Sequence, residues 1–189
     1  MLRVLLGPTL LTLTLNRASG GLILFVLITA LLSDIFDGII ARRIGVATER
    51  LRVADSWADG WFYLWVCAAV WNAEPGIIQA FRVPIIFLVS MDIFGYAVDL
   101  VRYRRITSLH AYSAKAWGLT LFMATVALLV CHTGGVFVWM ALILGYISNL
   151  DGLAIKLILP EWQTDVHGVF HALRIKRAYE TEAEVVPLA

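Results

Sequence analysis

Four aspartates within residues 33–60, SDIFDGIIARRIGVATERLRVADSWADG, stand in a chain that is otherwise mostly apolar. Asp34 and Asp37 are three apart and Asp55 and Asp59 four apart, so each pair shares one face if its segment is helical. Two facing helices would then present two acids each. An ionised Asp at membrane depth costs about 2.5–3.5 kcal/mol on insertion scales, so the group demands a compensating partner. Bound cations are the obvious candidates. Helical bundles build two-metal sites from inward carboxylates, and an all-oxygen donor set suits Mg²⁺ or Mn²⁺ better than zinc. No His or Cys lies within the stretch. Paired ions about 3.5–4 Å apart can clamp the attacking and leaving oxygens of a phosphorus centre. Gly38 and Ala41 leave backbone open about one turn further along, so that a nucleotide or a neighbouring helix can come close. Arg42 offers a planar donor fork to phosphate oxygens.

These residues resemble the signature of the CDP-alcohol phosphotransferase family of integral membrane enzymes, D-x2-D-G-x2-A-R-x8-G-x3-D-x3-D. Asp34, Asp37, Gly38, Ala41, Arg42, Asp55 and Asp59 stand at seven of its eight defined positions, and Leu51 replaces the second glycine. The resemblance implies a polytopic helical fold and a homodimer. It also implies that a CDP-linked donor, usually CDP-diacylglycerol, binds through its pyrophosphate to metal held by Asp34, Asp37 and Asp55. Asp59, on the same resemblance, contacts metal and serves as general base on a polar alcohol, with CMP as the leaving group. Two rival readings stand beside this one. Leu51, bulky where the family has no side chain, motivates a catalytically silent relative kept as a binding subunit. A divalent-cation transporter is the other, since intramembrane acids also mark ion pathways; transporter sites, however, tend to lie at the midplane on broken helices.

The elements that must position these residues follow from composition. The chain has 189 residues, 60% of them hydrophobic and 15% charged, with mean hydropathy +0.81. A soluble domain is roughly half apolar and a quarter charged, so the excess cannot be hidden in one globular core. The length allows roughly five to seven membrane helices. A net charge of +1 supplies no long-range field for nucleic acid. Cys67 and Cys131 lie in apolar runs and make neither a metal motif nor a disulfide framework. The start imitates a signal peptide, but Arg17 and the lack of a well-placed small-x-small site argue against cleavage.

Six spans are expected, at residues 2–16, 22–43, 53–72, 77–101, 116–131 and 136–158. The first is short and contains Pro8; Arg3 and Pro8 resemble the end of a family element whose preceding amphipathic stretch is expected to be missing from this sequence. Asp34 falls twelve residues into the second span, about 18 Å along at 1.5 Å per residue, past the midplane of a core about 30 Å thick. The third span returns Asp55 and Asp59 to comparable depth. In the fourth, Asp92 and Asp99 share a face and pair with basic neighbours; in the sixth, Asn149, Asp151 and Lys156 face the bundle. Residues 106–113 read as a loop. Residues 161–189 form a tail in which Val166, Val169, Phe170 and Leu173 make the apolar stripe of an interfacial helix, with residues 180–189 disordered. Trp57, Trp61, Trp65 and Trp71 read as interfacial anchors and packing.

Basic residues fix an expected orientation. With both ends cytoplasmic, Arg42, Arg43, Arg50, Arg52, Arg102, Arg104, Arg105, Arg174, Lys176 and Arg177 all lie inside, and Arg17 lies in an outer loop. The acid cluster then sits towards the cytoplasmic face. Arg43, Arg50, Arg52, Arg104, Arg105 and Lys115, besides their topogenic or snorkelling roles, can hold a dianionic acceptor there. Serine, choline or ethanolamine would need an acid or an aromatic cage for the ammonium. The expectation is therefore an all-α membrane bundle of about six transmembrane helices over residues 1–160 with a C-terminal amphipathic helix in 161–189. Its partners are the bilayer, CDP-diacylglycerol and a polar alcohol, glycerol 3-phosphate ahead, in phospholipid synthesis.

Overall fold

The computed structural model describes residues 2–44, 49–105, 111–163 and 166–185, with only the backbone described at 41, 42, 44, 49–53, 56 and 182–185. Where lipid offers no hydrogen bonds, an apolar chain must satisfy its backbone internally, and a helix does so within one segment. The described residues accordingly form helices and no strand: α1 (Arg3–Leu15), α2 (Gly20–Ile44), α3 (Glu49–Ala73), α4 (Pro75–Ala80), α5 (Arg82–Tyr103), α6 (Tyr112–Leu129), α7 (Gly135–Ile158) and α8 (Val169–Val185). Four segments are long and apolar enough to cross a membrane: Gly20–Ile40 of α2, and α5, α6 and α7. α1 is apolar but has only 13 residues, and the 25 residues of α3 include Asp55 and Asp59. Each of the six expected spans is largely helical, and the four long apolar segments among the described residues mark an integral membrane protein.

Three boundaries differ from the sequence reading. The span expected at 77–101 is broken at Phe81 into α4 and α5. Pro84 has no N–H to give the Ala80 carbonyl and its ring crowds that carbonyl, which favours a break here; in the first turn of α5 the same proline is tolerated. α6 begins at Tyr112, inside the stretch read as a loop, because the Tyr112 N–H donates to the His167 carbonyl (3.3 Å) and Ser113 Oγ donates to Asp151 Oδ2 (2.5 Å). The rest of that loop, 106–110, lies outside the described residues. α8 continues to Val185, so residues 180–185 are helical where disorder was expected. Tyr179 donates to Glu161 (3.0 Å), Lys176 pairs with Glu180 at 3.7 Å, and Thr181 Oγ1 donates to the Arg177 carbonyl. Residues 186–189 lie outside the described set.

The chain divides into two compact units, Met1–Ala80 with Phe122–Gly135, and Phe81–Leu121 with Val136–Ala189. In the first unit, α1 packs chiefly on α3 and also on α2. The approach depends on Gly7, where a Cβ would stand 2.7 Å from Trp65 Cδ1 and 3.1 Å from Trp65 Cβ. Trp61 Nε1 donates to the Val4 carbonyl (3.2 Å) and its ring meets Trp65 edge-on, so these two tryptophans pack α1. Trp57 and Trp71 are exposed, as anchors would be.

In the second unit, α5 and α7 run in parallel, tied by Tyr146 Oη to the Pro84 carbonyl (2.8 Å) near one end and Tyr103 Oη to the Lys156 carbonyl (2.6 Å) at the other. Asp99 is fully buried and pairs with Lys156 Nζ at 2.9 Å. The expected pairing of the α5 acids thus holds for Asp99. The tail stripe is different from the expected one. Val166, Ala172, Val169 and Ile175 pack with Ala111, Ile155, Ile158 and Leu159, which leaves Phe170 86% exposed.

Two stability predictions follow from these contacts, both read as thermal unfolding in detergent. Gly7→Ala should destabilise by about 1–3 kcal/mol through overpacking against Trp65, whereas Gly118→Ala, which meets nothing within 4 Å, should be neutral or stabilising by up to about 1 kcal/mol. Lys156→Met should cost about 3–5 kcal/mol by removing the ammonium that faces the buried Asp99 carboxylate, and adding Asp99→Leu to it should recover most of the loss.

Candidate metal centre

The centre is assembled by three helices of the first unit. α2 contributes Asp34, α3 contributes Asp55 and Asp59 one turn apart, and α1 lays Arg3 over them. One oxygen from each of these three carboxylates lies within 4.8 Å of the others. Arg3 Nη1 is 3.0 Å from Asp34 Oδ1 and also contacts Asp59 Oδ1, while Nη2 contacts Asp55 Oδ1. Arg3 itself is only 2% exposed. The three acid side chains retain 40–44% of their exposure, so the guanidinium covers the cluster without closing it.

The donor set fits a hard divalent cation. Carboxylate oxygens are its natural ligands, three of them converge from two helices, and among the described residues one guanidinium contacts these three carboxylates. Asp37, one turn beyond Asp34 on α2, is not among the three whose oxygens meet. Gly38 is half-buried on the same helix. Ala41 and Arg42 continue α2, and Arg50, Leu51 and Arg52 lie in the first turn of α3, but their side chains are outside the described residues, as is the link at 45–48. Arg43 is exposed at the end of α2.

The remaining acceptor candidates belong to the second unit. Arg104 ends α5 in a left-handed conformation (φ 53°). Arg105 lies 5.5 Å from the Trp162 ring and Lys115 5.5 Å from the Tyr112 ring, both as cation–π contacts. This unit also holds an open pocket of about 210 Å³ lined by Asp92, Tyr96, Trp117, Asn149 and Lys156 among others. The Asn149 amide bonds Asp92, and Lys156 Nζ donates to the Gly95 carbonyl at 3.0 Å. The polar residues expected to face inward on α7 do so.

Sequence reading missed Arg3 as the partner of the acids, having taken it as a charged flank of the first apolar run and as part of a family resemblance. The available signal was energetic. Four acids in lipid need cations, and Arg3 lies at the end of an apolar helix short enough to set a charge beside them.

Comparison with known proteins agrees with this geometry. The family model described as CDP-alcohol phosphatidyltransferase matches residues 1–147, a span that takes in α1 to α6 and the first half of α7. No curated protein and no solved structure gives a significant match. Family enzymes move a phosphatidyl group from a CDP-alcohol with the help of divalent metal, and the converging acids lie inside the matched span. With more than three quarters of its length matched, the chain belongs to the CDP-alcohol phosphatidyltransferase family.

Proposed function

We propose that the protein transfers the phosphatidyl group of CDP-diacylglycerol to a polar alcohol, releasing CMP. The observation that carries this reading is the convergence of Asp34, Asp55 and Asp59 from two helices within the family span. Asp34, Asp37 and Asp55 hold divalent cation, Mg²⁺ or Mn²⁺ in a paired site, with Asp59 touching it from the next turn of α3. A cation held by these carboxylates would supply charge neutralisation for the pyrophosphate oxygens. Gly38 and Ala41 give the nucleotide room along α2, and Arg42 holds a phosphate oxygen. Asp59 takes the proton from the acceptor hydroxyl. The acceptor oxygen then bonds to the phosphatidyl phosphorus, and the bond from that phosphorus to the bridging oxygen breaks with its electron pair leaving on CMP.

The acceptor is a phosphorylated polyol, glycerol 3-phosphate first. Its dianionic group calls for several cations, which Arg43, Arg50, Arg52, Arg104, Arg105 and Lys115 supply; the exposure of Arg43, Arg104, Arg105 and Lys115 supports this role. The cluster faces the cytoplasm with both termini, so that the polar alcohol enters from water and the lipid donor from the bilayer. Residues 1–160 form the enzyme domain, residues 161–189 a cytoplasmic tail with exposed Phe170 towards the interface, and the protein works as a homodimer.

The test is CMP release from CDP-diacylglycerol by purified protein, with each alcohol in turn. Glycerol 3-phosphate should give product only with Mg²⁺ or Mn²⁺, and chelator should abolish it. Full activity in excess chelator would exclude the metal site. Product with serine or choline and none with a phosphorylated polyol would overturn the acceptor. Divalent-cation flux without CMP would point to transport instead, and CDP binding without turnover to a silent subunit. In the same assay Asp59→Asn should lower turnover by about 10²–10⁴-fold, the usual worth of a general base, while CDP-diacylglycerol binding stays within a few-fold. Equal loss of both would make Asp59 a metal ligand only.

A further inference from the structure

The cation already in the acid cluster is Arg3. Its two terminal nitrogens touch Asp34, Asp55 and Asp59, the same three carboxylates whose oxygens converge for a metal ion. Its Nε is buried and has no hydrogen-bond partner among the described residues. The side chain is therefore held in place by the acids rather than by its own helix. The positive charge of the guanidinium, in contact with all three carboxylates, opposes any other arriving cation.

Resting on the metal-centre reading above, we infer that Arg3 is the resident counter-ion of the acid cluster and that divalent ions load against it. While the acids hold no ion, Arg3 draws one carboxylate from α2 and two from α3 together and offsets their repulsion. When an ion binds, Arg3 yields carboxylate oxygens to it. Arg3 is a positioning residue that acts through the three acids. Its removal thus has two effects of opposite sign: ion affinity rises and the stability of the ion-free protein falls. A purely structural arginine would lower both, because a looser cluster binds ions less well.

The experiment uses full-length protein in detergent, wild type and Arg3→Gln. Mn²⁺ binding is titrated by electron paramagnetic resonance, and thermal unfolding is followed in chelator and in saturating Mg²⁺. Arg3→Gln should bind Mn²⁺ about tenfold more tightly, because one opposing charge close to the ion is removed. It should melt lower than wild type in chelator, with the gap narrowing in Mg²⁺. Unchanged or weaker Mn²⁺ binding, or a gap that Mg²⁺ leaves as it was, overturns the inference. Should Arg3→Gln not fold, Arg3→Lys keeps a charge but cannot bridge three carboxylates at once; tighter Mn²⁺ binding than wild type supports the inference and equal or weaker binding overturns it. Failure of wild type and variant alike to bind Mn²⁺ would remove the metal centre, and this inference with it, whereas bound but unaltered Mn²⁺ would leave the centre standing and remove only the role of Arg3.

Discussion

Mutual repulsion among carboxylates in an apolar bundle is the constraint on which the first unit depends. Asp34, Asp55 and Asp59 lie close enough to repel one another when ionised, two like charges about 4 Å apart by several kcal/mol at an effective dielectric near 20, and a cation among them offsets this. The structure supplies the cation from α1. That requirement explains why a 13-residue helix, marginal on its own, is fastened so closely to α3: Gly7 admits Trp65, Trp61 reaches the Val4 carbonyl, and Arg3 lands on the acids. Backbone contact and ion pairing reinforce each other along one helix face.

The second unit meets the same cost of polarity in lipid by another route. Asp99 is fully buried and paired with Lys156, and that lysine also donates to the Gly95 carbonyl. The carbonyls at the end of α7, which have no partner within their own helix, accept from neighbouring side chains. Tyr103 Oη donates to the carbonyls of Lys156 and Leu159, and Arg102 Nη2 donates to Leu159 as well. Pro160 follows directly and cannot continue the helix. Satisfied polar groups of this kind lock α5 to α7; the acids of the first unit are covered on one side only and keep two-fifths of their exposure, as a ligand-exchanging site requires.

That difference carries the functional contrast between the two clusters. A sealed ion pair is inert, because exchanging either partner exposes a bare charge. Three partly open carboxylates sharing one guanidinium retain net negative charge and lone pairs, and a divalent ion with its phosphate ligands can use both. The acids of the signature therefore form an open, charged cluster at Asp34, Asp55 and Asp59, while Asp99, no less acidic by sequence, is buried in an ion pair with Lys156.

Much of this was legible in residue order. The apolar runs dictate helices, the excess of hydrophobic residues dictates a membrane, and the three- and four-residue spacings of the acids dictate that each pair shares a face, because these follow from helix geometry and backbone hydrogen bonding alone. Chain-local patterns could not show which partner neutralises the acids, because Arg3 is more than thirty residues from Asp34 and more than fifty from Asp55 and Asp59. Nor could they show that α4 breaks from α5 under the steric demand of Pro84, that Tyr112 joins α6 through a bond to His167, or that the tail packs Ala172 and Ile175 inward instead of Phe170. The acids and the family signature were determined by the sequence itself; that Arg3 sits among them was decided by tertiary packing, because the close approach of α1 to α3 at Gly7 brings its guanidinium within reach.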